Sequence, residues 1–242
     1  DNAERLSDLF LEEVKKYLPT EFFYTSLTGG FDGRTLAAAA IHNRSNFSCY
    51  CFGTADSRDL SLAALTASGA EIPFLPVNLD SRYLRDQSLG SGKEFIVNSS
   101  GVGTFARAHY LFAAGVLSAK AEFLVTGNFG SEIFRAVHVP GVVISPNLYR
   151  IFRSSDKGEA IREIRLSMRA SFLNAASFEK ELDDLGNDIA GLPCFNAGYK
   201  GLTRNMQFYI FVFEELFRKY FGTEIAAQSG IIKNRTPFLD AG

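Results

Sequence analysis

Apolar residues recur with two different periods along the first half of the chain. Over residues 2–17 they return every three or four positions, which predicts an amphipathic helix that ends before Pro19. Helical patterns also separate a series of short apolar runs. Four such runs have the length and composition of buried strands: 22–27, 47–52, 74–79 and 120–126. Strands that alternate with helices predict an α/β fold, with one parallel sheet and flanking helices.

Beyond about residue 138 the strand pattern stops and only helical patterns remain. We therefore predict an α/β core over residues 1–137 and a helical extension of the same domain over 138–242. The clearest helical patterns of the extension cover 161–173, 175–189 and 202–221.

Two features qualify the third strand and its surroundings. Pro76 lies within the run 74–79, which predicts an edge strand or a bulge because proline cannot donate to a sheet ladder. The following stretch, 80–93, is charged and contains Gly and Ser, and we interpret Gly90–Lys93 as a flexible loop.

Composition excludes several classes of protein. The 242 residues are 46% hydrophobic, enough for one α/β domain with a large core. A net charge of -2 supplies no basic field for nucleic acid, and no run approaches the roughly 20 apolar residues of a membrane span. Cys49, Cys51 and Cys194 fit neither a disulfide framework nor a zinc site. We expect a cytoplasmic protein that contacts neither nucleic acid nor membrane.

The glycine turn Thr28–Gly33 lies between the first strand and a predicted helix. Such a turn presents backbone N–H groups and a helix N-terminus to one point, and both favour a phosphate. Asp32 would repel phosphate unless it holds a divalent cation that bridges to it. The turn therefore predicts a nucleotide site that works with magnesium.

Three segments together resemble the synthetase domain of the asparagine synthetase family, which includes beta-lactam synthetase. Thr28–Gly33 is similar to the Ser-Gly-Gly-x-Asp-Ser signature of PP-loop ATP pyrophosphatases. Thr126–Phe134 is similar to the family's Ser-Gly-Glu/Asp-Gly-x-Asp-Glu-Leu-Phe, and Arg235–Asp240 to Arg-Val-Pro-Phe-Leu-Asp. The resemblance implies a PP-loop fold, like that of the adenine nucleotide alpha hydrolases.

The resemblance also implies an activity. A carboxylate substrate attacks the α-phosphate of ATP, pyrophosphate leaves, and the acyl-adenylate then reacts with ammonia or an amine to form an amide. Asp32, Arg34, Glu132 and Arg235 would be the catalytic residues, and Asp32 would also be the magnesium ligand. The residues implied to bind ATP are Leu27, Thr28, Gly29, Gly30, Phe31, Asp32, Gly33, Phe52, Thr126, Gly127 and Asn128.

Several positions depart from the family pattern. Asn128 and Ser131 stand where the family has acidic residues, and the second of those normally shares the magnesium with the first Asp. Lys233 stands in place of another acidic residue and could replace part of the metal's charge. These departures favour an alternative, in which the chain is a degenerate, non-catalytic domain of the same fold that binds nucleotide or serves as an interaction module.

Single residues also have plainer interpretations. Asp32 could merely cap the following helix, and Glu132 could be a first-turn carboxylate favoured by the helix dipole. Arg235 could be a structural clamp. Because the chain starts at Asp1 rather than Met, we expect it to be part of a longer protein, in which a glutaminase domain could precede it.

Overall fold

The computed structural model describes residues 2–133, 146–167, 175–193, 199 and 201–239. A few of these are described for their backbone alone: 132, 133, 148, 167, 175–178 and 216. The chain divides into two compact units, the first made of Asp1–Ser131 with Arg218–Gly242 and the second of Glu132–Phe217.

Strands and helices alternate through most of the first unit. Its elements in chain order are α1 (Asn2–Tyr17), β1 (Phe23–Ser26), α2 (Phe31–His42), β2 (Phe47–Gly53), α3 (Arg58–Gly69), β3 (Phe74–Asn78), a π-helical turn (Tyr83–Gln87), α4 (Ser88–Asn98), a 3-10 turn (Phe105–Arg107), α5 (His109–Ser118), β4 (Phe123–Val125), α6 (Gly130–Ile133, which ends in the second unit), α11 (Gly222–Ser229), β5 (Lys233–Arg235) and a 3-10 turn (Pro237–Leu239).

The five strands form one sheet in the order β3-β2-β1-β4-β5, and every neighbouring pair is parallel. This confirms the predicted α/β class with a parallel sheet and flanking helices. β3, which contains Pro76, lies at one edge as predicted, and β5 lies at the other. The central strands are buried on both faces, as parallel sheets covered by helices require.

The main core lies where the central strands meet α5. Tyr24, Tyr50 and Leu124 belong to three neighbouring strands and are at most 5% exposed. Ala113, Ala114 and Leu117 of α5 pack on them. Small residues on α5 let the helix approach the sheet closely, while the tyrosines supply the volume.

The loop predicted at Gly90–Lys93 is wrong, since these residues lie inside α4. Gly92 is buried, and a Cβ atom built on it would lie 2.0 Å from the Phe105 ring. The glycine therefore serves close packing of Phe105 on the helix rather than flexibility.

The prediction that no strand occurs after residue 138 is also wrong. Lys233–Arg235 forms β5, which pairs with β4 through the register Phe123↔Lys233 and Val125↔Arg235. Lys-Asn-Arg has no apolar pattern. β5 is a short edge strand that is held by backbone hydrogen bonds to β4, so it does not need apolar side chains.

The second unit is helical where it is described. It contains α7 (Pro146–Arg153), α8 (Lys157–Ser167), α9 (Ala175–Ala190) and α10 (Arg204–Val212), followed by a π-helical segment, Phe213–Phe221, that runs into the first unit. Thr203 caps α10 by accepting a hydrogen bond from the Met206 N–H at 3.3 Å. Among the described helices of both units, none has the length and apolar character needed to cross a membrane.

Candidate functional site

The two glycine turns follow the carboxyl ends of two neighbouring strands, β1 and β4, in the middle of the sheet. From β1 the chain runs outward to β2 and β3, and it then returns to β4 on the other side of β1. Residues 27–30 follow β1 and residues 126–129 follow β4. Open α/β sheets bind their ligands at such a reversal of strand order, beyond the carboxyl ends of the strands.

Contact between the two turns depends on glycine. A Cβ atom on Gly127 would lie 3.0 Å from the Asp32 Cβ and 3.2 Å from the Gly33 nitrogen. A Cβ atom on Gly130 would lie 3.0 Å from the Asp32 Cγ and 2.8 Å from the Phe238 ring. Side chains at either glycine would push the turns apart, so both positions hold the close approach.

Phe238 brings the third segment of the family resemblance to the same place. It lies in the 3-10 turn that follows β5, is 7% exposed, and borders Gly130. Its ring also packs 5.7 Å from that of Phe10 in α1. The structure therefore brings together all three segments beyond the ends of β1, β4 and β5.

The first turn of α2 is open to an anion. Gly30 is its N-cap and has no side chain that could accept a backbone N–H. By contrast, the Ser57 hydroxyl at the start of α3 accepts from the Leu60 N–H. α2 also lies very close to β1, since a Cβ atom on Gly33 would be 2.5 Å from the Ser26 carbonyl oxygen. The orphan N–H groups of α2 are the kind that bind phosphate.

Neighbouring side chains hold the first glycine turn in shape. The Gly29 N–H donates to a carboxylate oxygen of Asp59 at 3.3 Å, and the Gly30 N–H donates to the Thr28 hydroxyl at 3.1 Å. Arg34, predicted to reach a phosphate, donates to the carbonyl oxygens of Gly30 and Gly29, both at 3.0 Å. In this structure Arg34 stabilises the turn itself.

Asp32 binds the second turn directly. The Ser131 hydroxyl lies 2.9 and 3.0 Å from its two carboxylate oxygens, and the Ser131 N–H donates to one of them at 3.2 Å. Asp32 is half-buried, as is Ser131. This bond joins the turns that follow β1 and β4.

Asp32 has the donor chemistry of a magnesium ligand, but it has few acidic neighbours. Within the described ranges no group of three or more His, Cys, Asp or Glu side chains could hold a metal ion. Magnesium often uses one or two protein carboxylates and completes its shell with phosphate oxygens and water. A single carboxylate beside a phosphate-binding turn therefore fits this ion, on condition that a ligand supplies the remaining oxygens.

The residues expected around the nucleotide lie in different surroundings. Leu27 is fully buried. Phe31 is 77% exposed, and the Arg34 guanidinium lies 4.6 Å from its ring centroid. Phe52 is half-buried at the end of β2 and packs 5.0 Å from Tyr110. Of Leu27, Phe31 and Phe52, only the two phenylalanines therefore present side-chain surface that the base of a nucleotide could contact.

The second turn supplies backbone rather than side chains. Thr126 is 3% exposed, and its hydroxyl donates to Asn234 at 3.0 Å. Asn128 is half-buried, and Phe129 takes a left-handed backbone conformation with φ 72°. This unusual φ for a bulky residue turns the chain sharply toward Gly130 and Ser131.

The side chains of Arg235 and Lys233 contact the start of β4, whereas the Arg235 carbonyl oxygen accepts a hydrogen bond from the Thr126 N–H at 3.0 Å, where the second turn begins. The Arg235 guanidinium donates to the Tyr17 carbonyl oxygen at 3.3 Å and lies 4.5 Å from the Phe123 ring. Lys233 pairs with Glu122. Arg235 thus joins β5 to the end of α1, in agreement with the clamp interpretation. The Glu132 side chain lies outside the described part of the chain.

Sequence reasoning missed a buried charged group, which we call the Arg107 group: Arg107, Tyr110, Tyr220 and Glu224. Arg107 forms an ion pair with Glu224, which is fully buried, and a hydrogen bond with Tyr220. Its guanidinium also lies 4.6 and 4.2 Å from the ring centroids of Tyr110 and Tyr220. No local spacing predicts this group, because Arg107 and Tyr110 are more than a hundred positions away from Tyr220 and Glu224.

The Arg107 group lies in a row of ring contacts along the site. Phe52 packs on Tyr110 at one end, and Tyr220 packs on Phe221 at 5.1 Å. Phe221 in turn lies 6.1 Å from Phe129 of the second turn. The row joins the end of β2 to the turn after β4. Since a fifth of the Arg107 side chain is exposed, it adds an accessible cation to this edge of the sheet.

Comparison of the chain with models of known protein families gives no match. Comparison with curated protein sequences gives no significant match either. The function is therefore inferred from the residues and their geometry.

Proposed function

We propose that this chain is the synthetase domain of an ATP-dependent carbon–nitrogen ligase with a PP-loop fold, related to asparagine synthetase. The observation that carries the proposal is the meeting of three family-like segments at the reversal point of the sheet, through Asp32, Gly127, Gly130 and Phe238. Chance similarity in three short segments would not be expected to bring them into contact.

The phosphates of ATP would bind at the start of α2. The uncapped N–H groups of its first turn would donate to the phosphate that leaves as pyrophosphate. Arg34 would keep the turn in shape and add positive charge near it. Arg107, with Glu224 as its buried counter-ion, would attract a second anionic group such as the substrate carboxylate.

Asp32 would hold magnesium together with phosphate oxygens. Magnesium, when bound, neutralises charge that develops on the departing pyrophosphate. The residues of this chain would orient the α-phosphate toward the carboxylate substrate and limit the access of water. An acyl-adenylate would form, and ammonia or an amine would then attack its carbonyl carbon and displace AMP to give the amide. A glutaminase domain elsewhere in a longer protein could supply the ammonia.

The cellular setting belongs to the same proposal. Cys49 and Cys51 are free thiols buried in β2, which suits a reducing compartment such as the cytoplasm. We propose small molecules as the ligands, with no role for nucleic acid or membrane, in keeping with the net charge of -2.

A degenerate, non-catalytic domain is the second candidate. Two contacts favour it: Asp59 accepts one N–H of the first turn, and Ser131 engages both carboxylate oxygens of Asp32. Such internal partners would stabilise the turns without any ligand.

A thermal-shift titration with ATP and magnesium tests whether the chain binds nucleotide at all, which the ligase requires. ATP at a hundredfold excess over its Kd should stabilise the protein by about 2.7 kcal/mol. Asp32→Asn should reduce the shift. Asp56→Asn, which removes an exposed carboxylate that accepts from the Thr54 hydroxyl in its own turn, should not. An unchanged melting temperature with ATP at millimolar concentration would favour the degenerate domain.

The chemical step needs its own assay. Pyrophosphate release that depends on one carboxylic acid from a panel, and that is lost in Asp32→Asn, would support the ligase. Binding of ATP with no release for any acid would leave a nucleotide-binding domain without this activity.

A further inference from the structure

The contact between Asp32 and Ser131 has a consequence for cation binding. Ser131 stands where the resembled family carries a second carboxylate, and its hydroxyl lies within 3.0 Å of both Asp32 oxygens. A hydroxyl donates its proton to the oxygen that a cation would need. In the resembled family, carboxylates at these two positions would share a cation. In this chain a hydrogen bond between Asp32 and Ser131 joins them instead.

We propose that Ser131 is a positioning residue that makes cation binding at Asp32 weak unless phosphate is present. The inference rests on the proposed function, since it concerns the same magnesium ligand. Without phosphate, a cation that binds Asp32 must break the hydrogen bond from the Ser131 hydroxyl, and it obtains a single protein carboxylate as its ligand in return. With phosphate at the first turn of α2, additional oxygens complete the cation's shell. The cation therefore binds after, or together with, the phosphate compound.

Three features of the structure support this order. The Ser131 N–H also donates to Asp32 at 3.2 Å, so a backbone group holds the carboxylate toward the second turn. Asp32 also lies directly against the second turn, since Cβ atoms built on Gly127 and Gly130 would lie 3.0 Å from its side chain. The described part of the chain also contains no cluster of three acidic, His or Cys side chains.

Substitutions at position 131 test the role of the hydroxyl. Ser131→Ala removes the competing donor, Ser131→Thr retains it, and Ser131→Asp adds a second carboxylate. A hydrogen bond to a charged group is strong enough that its loss should tighten cation binding about tenfold. Ser131→Asp should bind the cation more tightly still, and Ser131→Thr should behave like the unmodified protein.

The measurement is the binding of Mn2+, as a spectroscopic substitute for magnesium, followed by electron paramagnetic resonance. Titrations are run with and without inorganic pyrophosphate on the unmodified protein and the three variants. Asp32→Asn should abolish the site in every background. Ser118→Ala serves as the matched control, because that exposed hydroxyl bonds only within its own helix.

Two results would overturn the inference: equal Mn2+ affinity in Ser131→Ala and the unmodified protein, or tight binding by the unmodified protein without pyrophosphate. Thermal unfolding of each variant shows whether it is folded. If Ser131→Ala is unstable, Ser131→Asp keeps the test valid, because it too should bind Mn2+ more tightly than the unmodified protein. Failure of the proposed function is a different outcome. In that case pyrophosphate still tightens Mn2+ binding and the variants keep the expected order, while no carboxylic acid triggers pyrophosphate release from ATP.

Discussion

Asp59 is a carboxylate placed against a turn that is expected to bind phosphate. It accepts the Gly29 N–H at 3.3 Å from an exposed position in the first turn of α3. At that distance and exposure the bond is weak, so an anionic ligand can displace it. It occupies a donor that the ligand would otherwise use, and it also repels the ligand's charge.

We expect Asp59→Asn to bind pyrophosphate and ATP about threefold to tenfold more tightly, since the competing acceptor loses its charge. Isothermal titration measures the change. Asp56→Asn removes an equal charge from the loop that precedes α3, where Asp56 accepts from Thr54, and controls for general electrostatics. Equal affinities for the two variants would show that Asp59 does not compete with phosphate.

Gly33 stands where the resembled signature has a serine, and its surroundings leave no room for a side chain. A Cβ atom there would lie 2.5 Å from the Ser26 carbonyl oxygen, a backbone atom that cannot rotate away. The serine of the family pattern would therefore separate α2 from β1.

Gly33→Ser should lower the free energy of unfolding by about 1–3 kcal/mol, the usual cost of overpacking. Denaturant unfolding gives the value. Gly90→Ser is the matched control, because Gly90 lies in α4 with open space around its Cβ position and should tolerate the change or gain slightly. A neutral Gly33→Ser would mean that α2 can move away from β1 at little cost.

At the scale of elements, the Arg107 group joins the start of α5 to the first turn of α11. Arg107 ends the 3-10 turn before α5, and Glu224 lies in the first turn of α11 with no exposed surface. A buried carboxylate without its partner is costly, because desolvation is no longer offset.

Arg107→Met should destabilise the protein by about 3–5 kcal/mol, and the double variant Arg107→Met with Glu224→Leu should recover much of the loss. Denaturant unfolding of the two single variants and the double variant forms a double-mutant cycle. Lys233→Met, which breaks the exposed pair with Glu122, should cost at most about 1 kcal/mol. Additive losses in the cycle would contradict the coupling of Arg107 and Glu224.

The elements differ in how far the sequence predicts them. The apolar run Phe47–Phe52 predicts β2, because a strand buried on both faces needs consecutive apolar residues, and these are visible in the local sequence. β5 has no such pattern. The stretch Gly90–Lys93 resembles a loop because the packing partner of Gly92, the Phe105 ring, cannot be recognised from the local sequence. The turns of the candidate site were predictable, but their joining bond was not, since Asp32 and Ser131 are 99 positions apart.

At the scale of the whole molecule, buried titratable groups determine the pH range of greatest stability. Burial, and then the charge of Arg107, lower the pKa of His109 from 6.5 to about 4. Burial raises the pKa of Cys49 from 9.0 to about 12 and is also the main cause that raises that of Cys51 to about 11. In each case the folded protein favours the neutral form.

Stability should therefore be greatest between about pH 6.5 and pH 9. Below pH 6.5 His109 is protonated in the unfolded chain, whereas in the folded chain it stays neutral until about pH 4. The free energy of unfolding therefore falls as the pH falls. Above pH 9 the unfolded chain releases thiol protons that the folded chain retains, so stability falls as the pH rises. Urea unfolding across the pH range measures both slopes.

Two variants assign the slopes, and each controls for the other. His109→Phe keeps an aromatic ring against Phe52 and should flatten only the acid side. Cys49→Ala should flatten only the alkaline side. A change on the wrong side in either variant would mean that other groups dominate the pH dependence.

The position of β5 near the end of the described chain determines when the sheet can be completed during synthesis. Thr126 and Asn234, which join β4 to β5, are separated by 108 positions. When β4 leaves the ribosome, the partner of its outer edge has not yet been translated. The nascent chain must then carry an unpaired β4, a hazard for association with other chains, until the last strand emerges. Chaperones that shield exposed strand edges should therefore matter most for this protein between the synthesis of its fourth and fifth strands.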